Sequence, residues 1–468
     1  MSGPWERIAV GVVVEVLLVA VVAQQAWTWR QIRRDGEVTP AESESLLALR
    51  HVATERPVYY DYRQPPHVVA QYTPLFYYGP GWLARAVGAD VLGTFVIGRA
   101  LTYAFWIGVA GMVWLLARQA GCGRGSAGLG AVFWLAGPVA SEWAASYRPD
   151  AGAIFFSLAA WWFYRHRGRA GWWVVGLLVA AFLQKQSAVS AVVVVAVAEW
   201  RRVGWRGGAR VLAGWLGIVV SVLVGLEWMT GGAFGLNVWG SVVQPGKWSQ
   251  AALLATAVLL RGAPLWLGAV GARRERDEWP LLAWLGVALV LAVAGSVKLG
   301  AWLNYYLKPL AVSCVLTAVW WERGRMKWLR VAWLGLALVS ATQWAEARIG
   351  AWAIARGTPD RALCVLVDEE PVLVEDLYVA IRGDRTPYLL HGAQFVSLRR
   401  WGRFDDGELL RRINAGEFRQ IVLTQPAGET GGRRQFPAEW LRAVEWRYIV
   451  TGVCGDGFWV YRPREEMN

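Results

Sequence analysis

Cysteine and histidine are scarce in this chain, four of each in 468 residues. Cys122, Cys314, Cys364 and Cys454 form no Cys-x-x-Cys pair, and no His-x-x-x-His spacing accompanies them, so no zinc site is indicated. A bridge between Cys364 and Cys454 is one reading; unpaired buried thiols are the expected one. Charge is also thin, at 18% of residues against 56% hydrophobic. A Gly-rich phosphate loop, a hydrolase elbow, an internal repeat and a low-complexity tract are all missing. The first apolar run, residues 8–29, has no small-residue cleavage site and is too long for a signal peptide. It is expected to stay as an anchor, and Glu15 inside it is a candidate for function or for a shielded partner.

What remains is a succession of apolar runs. After residues 8–29 they fall near 92–117, 127–145, 151–164, 172–184, 188–199, 209–229, 251–272, 279–297, 303–320 and 328–346. The fold class expected is a polytopic α-helical membrane protein of about 11 transmembrane helices, with a small C-terminal extracytoplasmic α/β domain. The 32 tryptophans suit the boundary between bilayer and water, where an indole is half wet. The net charge of +13 would suggest nucleic acid in a soluble protein. Here the basic residues sit in short loops between apolar runs and read as topology signals, so no nucleic-acid partner is expected.

One alternating set of loops holds sixteen basic residues, among them Arg165, Arg167, Arg201, Arg202 and Arg323. The opposite set holds four: Arg148, Lys185, Lys247 and Lys298. The positive-inside rule puts the first set, and the amino terminus, in the cytoplasm of a cell with an inner membrane. The polar segment 31–74 then lies outside, as does everything after residue 350. Two regions follow: residues 1–350 as a membrane module and 351–468 as an outer α/β domain. In the latter, 362–368, 420–424, 448–451 and 458–461 read as strands, and 372–382, 406–415 and 439–446 as helices. Residues 75–88 are short and aromatic and belong at the interface.

Four outer loops carry polar groups at the ends of apolar helices. The first has Glu42 and Glu44, two residues apart and therefore about 200° apart on a helix. One can face a site while the other faces solvent. The second is Ser146-Tyr-Arg148-Pro-Asp150, in which Asp150 is either functional or a helix-start residue favoured by the positive helix end. The third is Gln184-Lys185-Gln186-Ser187. The fourth runs from Lys298 to Pro309 and contains Asn304 and Tyr305. A carboxylate can take the proton of an acceptor, and Lys or Arg can neutralise charge on a departing phosphate. Lys, Arg, Trp and Tyr also serve as plain interfacial anchors. The concurrence of four such loops on one face is what favours chemistry.

The pattern resembles the glycosyltransferase C superfamily, integral membrane enzymes that use polyprenyl-phosphate sugars and include the protein O-mannosyltransferases and the lipid A aminoarabinose transferase. The resemblance rests on Glu42-Ser, the stretch Leu46 to Val52, Pro57-Val-Tyr-Tyr-Asp61, Tyr72-Thr-Pro74-Leu-Phe-Tyr77, Arg148-Pro-Asp150, Lys185-Gln186 and Asn304-Tyr305-Tyr-Leu307. It covers most of residues 1–350. Ala41 stands where the family has the first acid of its pair, leaving Glu42 as the matched base with Glu37 and Glu44 as substitutes. The resemblance implies an inverting membrane glycosyltransferase that moves a sugar from a polyprenyl-phosphate donor to an extracytoplasmic glycan, lipid or protein acceptor. Glu42 and Asp150 are its expected catalytic acids. Glu44, Tyr72, Arg148, Lys185, Lys298, Asn304 and Tyr305 are its expected substrate contacts. Some relatives use a divalent cation and others do not; Glu42 and Asp150 are the pair that could hold one, and the sequence does not require it. The rival readings are a transporter or flippase of lipid-linked substrates and a non-catalytic membrane assembly protein.

Overall fold

The computed structural model describes residues 4–39, 42–242, 246–272, 278–298, 300–323, 327–355, 367, 370–429, 435–454 and 457–464. The first half is helical: α1 (Pro4–Ile32), α2 (Glu42–Ala53), α3 (Pro74–Ala86), α4 (Val91–Gln119), α5 (Arg124–Ala136), α6 (Pro138–Glu142), α7 (Asp150–Arg167), α8 (Trp172–Gln184), α9 (Ser190–Val203), α10 (Trp205–Met229) and one turn, α11 (Ala233–Gly235). After it come α12 (Trp248–Arg261), α13 (Ala263–Gly271), α14 (Trp279–Ser296), α15 (Leu307–Arg323) and α16 (Lys327–Ala355). Four strands follow, β1 (Val372–Val374), β2 (Gln420–Leu423), β3 (Tyr448–Cys454) and β4 (Phe458–Pro463); α17 (Leu377–Arg382), α18 (Gly392–Arg400) and α19 (Gly407–Ala415) lie between β1 and β2, and α20 (Ala438–Arg447) between β2 and β3.

Among the described residues, four helical stretches are long and apolar enough to cross a bilayer: Gly11–Ile32, α4, α10 and α14. The pair α12 and α13, bent by 80°, makes a fifth if it is one span. By length and composition alone this confirms four or five of the eleven expected crossings. α5 and α8 have 13 residues and α9 has 14. At the helical rise that is about 20 Å, short of the ~30 Å hydrocarbon thickness. Polar or proline punctuation sets these lengths: Gly137-Pro138 closes α5, and Gln184-Lys185 closes α8.

α10 exposes Leu212, Leu216, Val220 and Val224 along its length. An apolar helix with an uncovered apolar face suits lipid. Trp172, Trp205, Trp228 and Trp248 are exposed at helix ends, where the boundary reading puts them. The expectation for tryptophan is incomplete, however. Trp106, Trp134, Trp161, Trp284 and Trp333 are core residues. The indole N–H of Trp134 donates to the Trp106 carbonyl at 3.0 Å, that of Trp284 to Ser190 Oγ at 3.0 Å, and that of Trp333 to the Pro264 carbonyl at 2.7 Å. A buried indole needs such a partner, so these three fill the bundle with their donors satisfied, whereas the indole N–H groups of Trp106 and Trp161 are buried without a hydrogen-bond partner.

The sheet has strand order β1-β2-β4-β3, with β1 parallel to β2 and the other pairs antiparallel. Residues 372–382, expected as one helix, divide into β1 and α17. Val372-Leu-Val374 is a buried run that pairs with β2, and Asp376 caps α17 by accepting from the Tyr378 N–H at 3.0 Å. The strand expected at 362–368 lies outside the described residues apart from Val367. α18 has no counterpart among the expected elements. Cys454 is disulfide-bonded, which corrects the expectation of unpaired thiols there; Cys122 and Cys314 are free and buried.

The sheet layer is joined to the polar segment by a common core. Leu46, Leu49, Phe76 and Tyr147 belong to the same apolar cluster as Leu373, Phe395, Leu409, Ile421 and Trp440. Backbone bonds reinforce it: His67 N–H donates to the Tyr388 carbonyl at 2.8 Å, and Leu390 N–H to the His67 carbonyl at 2.9 Å. Arg50 grips Asp384 with two hydrogen bonds, at 3.1 and 2.9 Å, and Arg382 grips Asp35. The C-terminal layer is thus held against α2.

Candidate active site

The polar segment places two acids on α2, and the helix sends them to different surroundings. Glu42 is fully buried and forms a bidentate ion pair with Arg99 of α4, itself fully buried. Its Oε1 accepts from Arg99 Nε at 3.0 Å and from the Tyr147 N–H at 2.7 Å. Its Oε2 accepts from Arg99 Nη2 at 2.9 Å and from the Val38 N–H at 2.8 Å. A carboxylate has about four acceptor positions, and all four are used. The remaining Arg99 donors go to the Arg34 and Gly36 carbonyls, each at 2.6 Å. The structure thus gives Glu42, the expected base, a partner in every direction and no access to the cavity described next.

That cavity, of about 600 Å³, opens where α2, α6, α8 and α18 converge. Its wall includes Glu44, Tyr72, Arg148, Lys185, Lys298, Asn304 and Tyr305. These are all of the expected substrate-contact residues. Asp150 lines a smaller adjoining cavity of about 160 Å³, which shares Lys185, Ser187, Asn304 and Tyr305 with the large one. The smaller cavity continues between apolar residues Ala153, Ile154, Ala288, Leu291 and Ala292 of α7 and α14.

Local sequence explains the placement. Pro149 and Asp150 start α7, and Gly152 lets α8 come close: a Cβ there would sit 2.7 Å from Gln184 Nε2. α7 and α8 therefore bring Asp150 and the break after Gln184 together. Lys185 Nζ lies 2.5 Å from Asp150 Oδ1, and Asn304 Nδ2 is 3.2 Å from Asp150 Oδ2. The Asp150 carboxylate thus ties three loops together from the first turn of α7. Lys185 also lies over the Tyr305 ring, 5.1 Å from its centre.

The other two cations differ from Lys185. Arg148 donates to the Tyr72 hydroxyl at 3.3 Å and lies over the Trp143 ring. Lys298 is fixed through its backbone, where Gln250 Nε2 donates to its carbonyl at 3.0 Å. No ion-pair partner of its ammonium is found among the described residues. Burial pushes the Lys298 ammonium down to about 8, with Lys185 acting in the same direction and Glu44 against it. Glu44 accepts from Gln71 Nε2 at 3.1 Å. Burial raises its carboxyl above the ordinary value, opposed by His391, Arg148 and Lys298. A buried carboxylate with a raised pKa, in one cavity with two cations, is a candidate proton acceptor.

Sequence reasoning missed several wall residues: Glu142 and Trp143 at the end of α6, Gln71, Gln186, and His391, Gln394 and Ser397 around α18. Gln186 was within a quoted motif. The α18 residues carried one usable signal, the spacing His391-x-x-Gln394-x-x-Ser397, which lines up one face of a helix.

A divalent cation between Glu42 and Asp150 does not fit the residues present. Each carboxylate already has its own cation, Arg99 and Lys185 respectively. Among the described residues no group of three or more His, Cys, Asp or Glu side chains is placed to hold a metal.

No family model and no curated protein matches this chain. Solved structures do. ArnT from Cupriavidus metallidurans in the apo state aligns with a TM-score of 0.63 at 15% identity, over 97% of this chain and 98% of that one. The same protein bound to undecaprenyl phosphate aligns with a TM-score of 0.59 at 15% identity, over 98% of each chain.

Proposed function

Because the chain has the glycosyltransferase C fold, we propose that it is a multi-pass glycosyltransferase of the inner membrane. It moves a sugar from a polyprenyl-phosphate donor to an acceptor on the extracytoplasmic side, with inversion. The amino terminus is cytoplasmic and the sheet layer faces outward. The observation that carries this reading is the meeting of Glu44, Arg148 and Lys298, whose ammonium has no ion-pair partner among the described residues, in one cavity. The likeness to a structure that holds undecaprenyl phosphate supports the choice of donor class.

Each residue has a role that follows from its surroundings. Glu44 accepts the proton of the acceptor hydroxyl. The freed oxygen pair forms the new bond to the anomeric carbon, from the side opposite the phosphate. The carbon–oxygen bond to phosphate breaks, and its electron pair leaves on the phosphate oxygen. Lys298 and Arg148 neutralise the charge that grows there. Asp150, Lys185 and Asn304 set the positions of three loops, and Tyr72 and Tyr305 hold Arg148 and Lys185 in place. The narrow apolar cavity between α7 and α14 receives the first isoprene units of the lipid.

The test uses the full chain in nanodiscs. Undecaprenyl phosphate is added alone, and its effect on Tm is measured. Undecaprenyl-phosphate mannose, glucose, galactose and arabinose are then offered, and release of undecaprenyl phosphate is followed. We expect the lipid phosphate alone to raise Tm and at least one donor to turn over. Glu44→Gln should slow turnover by about 10²–10⁴-fold. Failure of the lipid to bind and of every donor to turn over overturns the proposal.

A further inference from the structure

The wall of the large cavity also carries polar atoms with nothing to bond to. Gln394 of α18 is 9% exposed, and neither its Nε2 nor its Oε1 has a hydrogen-bond partner. Gln186 Oε1 is buried and unpartnered, although its Nε2 donates to the Gln71 carbonyl at 2.9 Å. The indole Nε1 of Trp143 is also buried and without a partner. All three residues line the cavity. A buried polar atom left unpaired costs about 1–3 kcal/mol, so four on one cavity wall call for an explanation.

The chemistry of the four atoms narrows the ligand. Gln394 Nε2 and Trp143 Nε1 donate; Gln394 Oε1 and Gln186 Oε1 accept. A phosphate offers only acceptors and would leave both amide oxygens unsatisfied. An ammonium would leave both donors unsatisfied. A hydroxyl donates and accepts at once, and a carboxamide can hold two neighbouring hydroxyls, one at each atom. Turning the Gln394 amide over exchanges its two atoms and leaves this match unchanged.

We propose that Gln394, with Gln186 and Trp143, is the sugar-reading subsite of the cavity, and that it binds adjacent hydroxyls of a pyranose or furanose ring. The subsite is built partly from the C-terminal layer, which gives that layer a part in choosing the substrate. The inference rests on the transfer reaction proposed above. The sugar is that of the donor or that of the acceptor; the recognition chemistry is the same.

The experiment uses the full chain in nanodiscs and the variant Gln394→Met, which keeps side-chain length and removes both hydrogen-bonding atoms. Tm is measured with no ligand, with undecaprenyl phosphate, and with undecaprenyl-phosphate sugars that turn over. Parent sugars are compared with their 2-deoxy and 6-deoxy analogues, and methyl glycosides serve as acceptor probes. We expect the empty Gln394→Met protein to be at least as stable as the wild type, because an orphan carboxamide is replaced by a thioether. Binding of bare undecaprenyl phosphate should be unchanged. The wild type should prefer the parent sugar over one deoxy analogue by about 10–100-fold, and Gln394→Met should lose that preference. Loss in donor binding assigns the donor sugar; loss only in the KM for methyl glycosides assigns the acceptor. A lowered Tm in the empty variant, or an unaltered preference for every sugar, overturns the proposal. If bare lipid binds the wild type and a donor turns over, such a result leaves the transfer reaction standing.

Discussion

Glutamine substitution at the two acids of α2 separates a structural carboxylate from a catalytic one. Glu42→Gln removes one charge of a pair in which both side chains are fully enclosed. Arg99 then stays buried with a positive charge and no counter-charge. Its bonds to the Arg34 and Gly36 carbonyls remain, and these offer only partial negative charge. Removing one partner of a buried pair costs about 3–5 kcal/mol. The amide also has one donor group where the carboxylate had an acceptor oxygen, so either Val38 N–H or Tyr147 N–H loses its partner. Glu44→Gln is different. Glu44 is half-buried, its charged form is already disfavoured by burial, and Gln71 can still bond to the amide oxygen. We expect a stability change under about 1 kcal/mol and a rate loss of about 10²–10⁴-fold. Thermal unfolding and donor turnover, measured on both variants in the same nanodiscs, decide the matter. A Glu42→Gln protein with wild-type Tm and no turnover, beside a Glu44→Gln protein at full rate, refutes the assignment and returns the base to Glu42.

Three further outcomes follow. Lys298 is protonated below pH of about 8 and loses its charge above it, so affinity for undecaprenyl phosphate should be full below that pH and fall by up to tenfold per unit above it; Lys298→Met should weaken binding and flatten this limb. On the acid side, burial raises Glu44, so turnover should decline at a higher pH than for an ordinary glutamate, and Glu44→Gln should abolish that limb. Asp384→Asn should loosen the C-terminal layer from α2 by about 1 kcal/mol, because it takes one charge from the partly exposed grip of Arg50; faster amide exchange at Leu390 without loss of the helical bundle is the measurement.

Much of the site was readable because its residues stand where an apolar run stops. Arg148-Pro-Asp150, Lys185-Gln186 and Asn304-Tyr305 interrupt otherwise greasy sequence, and the three loops do meet at Asp150. Arg99 escaped for the opposite reason: it lies inside the apolar run 92–117, with its partner 57 positions earlier. A charge in such a run requires a buried partner, and that signal was available. β1 was missed because three apolar residues suit a helix as well as a strand; only pairing with β2 decides it. α5, α8 and α9 were read from apolar runs, and at 13–14 residues they are too short by length alone to be counted as full crossings, so the expected number of crossings stays unconfirmed. A helix packed inside a bundle can be apolar without needing the bilayer's thickness.

The spacing of Glu42 and Glu44 was read as one acid facing a site and one facing water. The first half of that reading matches the placement of Glu44, and the second does not match Glu42. A charge on the far side of α2 meets α4, because Gly98 lets the helices approach: a Cβ there would lie 2.6 Å from Leu49 Cδ2 and 2.9 Å from the Tyr147 ring. The approach makes the buried pair with Arg99 possible, and the pair in turn fixes the rotation of α2. A hydrophobic pair would tolerate a turn of the helix by some tens of degrees; a bidentate bond with four filled acceptor positions does not. Since Glu44 is two residues away on a rigid 12-residue helix, any rotation that broke the Glu42 bonds would carry Glu44 out of the cavity. A swap that keeps the charges but loses the fork, Arg99→Lys, should therefore lower turnover through displacement of Glu44 while leaving the pH limb assigned to Glu44 at its place among the molecules that still turn over. Movement of that limb instead would mean that Arg99 acts on Glu44 by its charge, and the positional argument would fail.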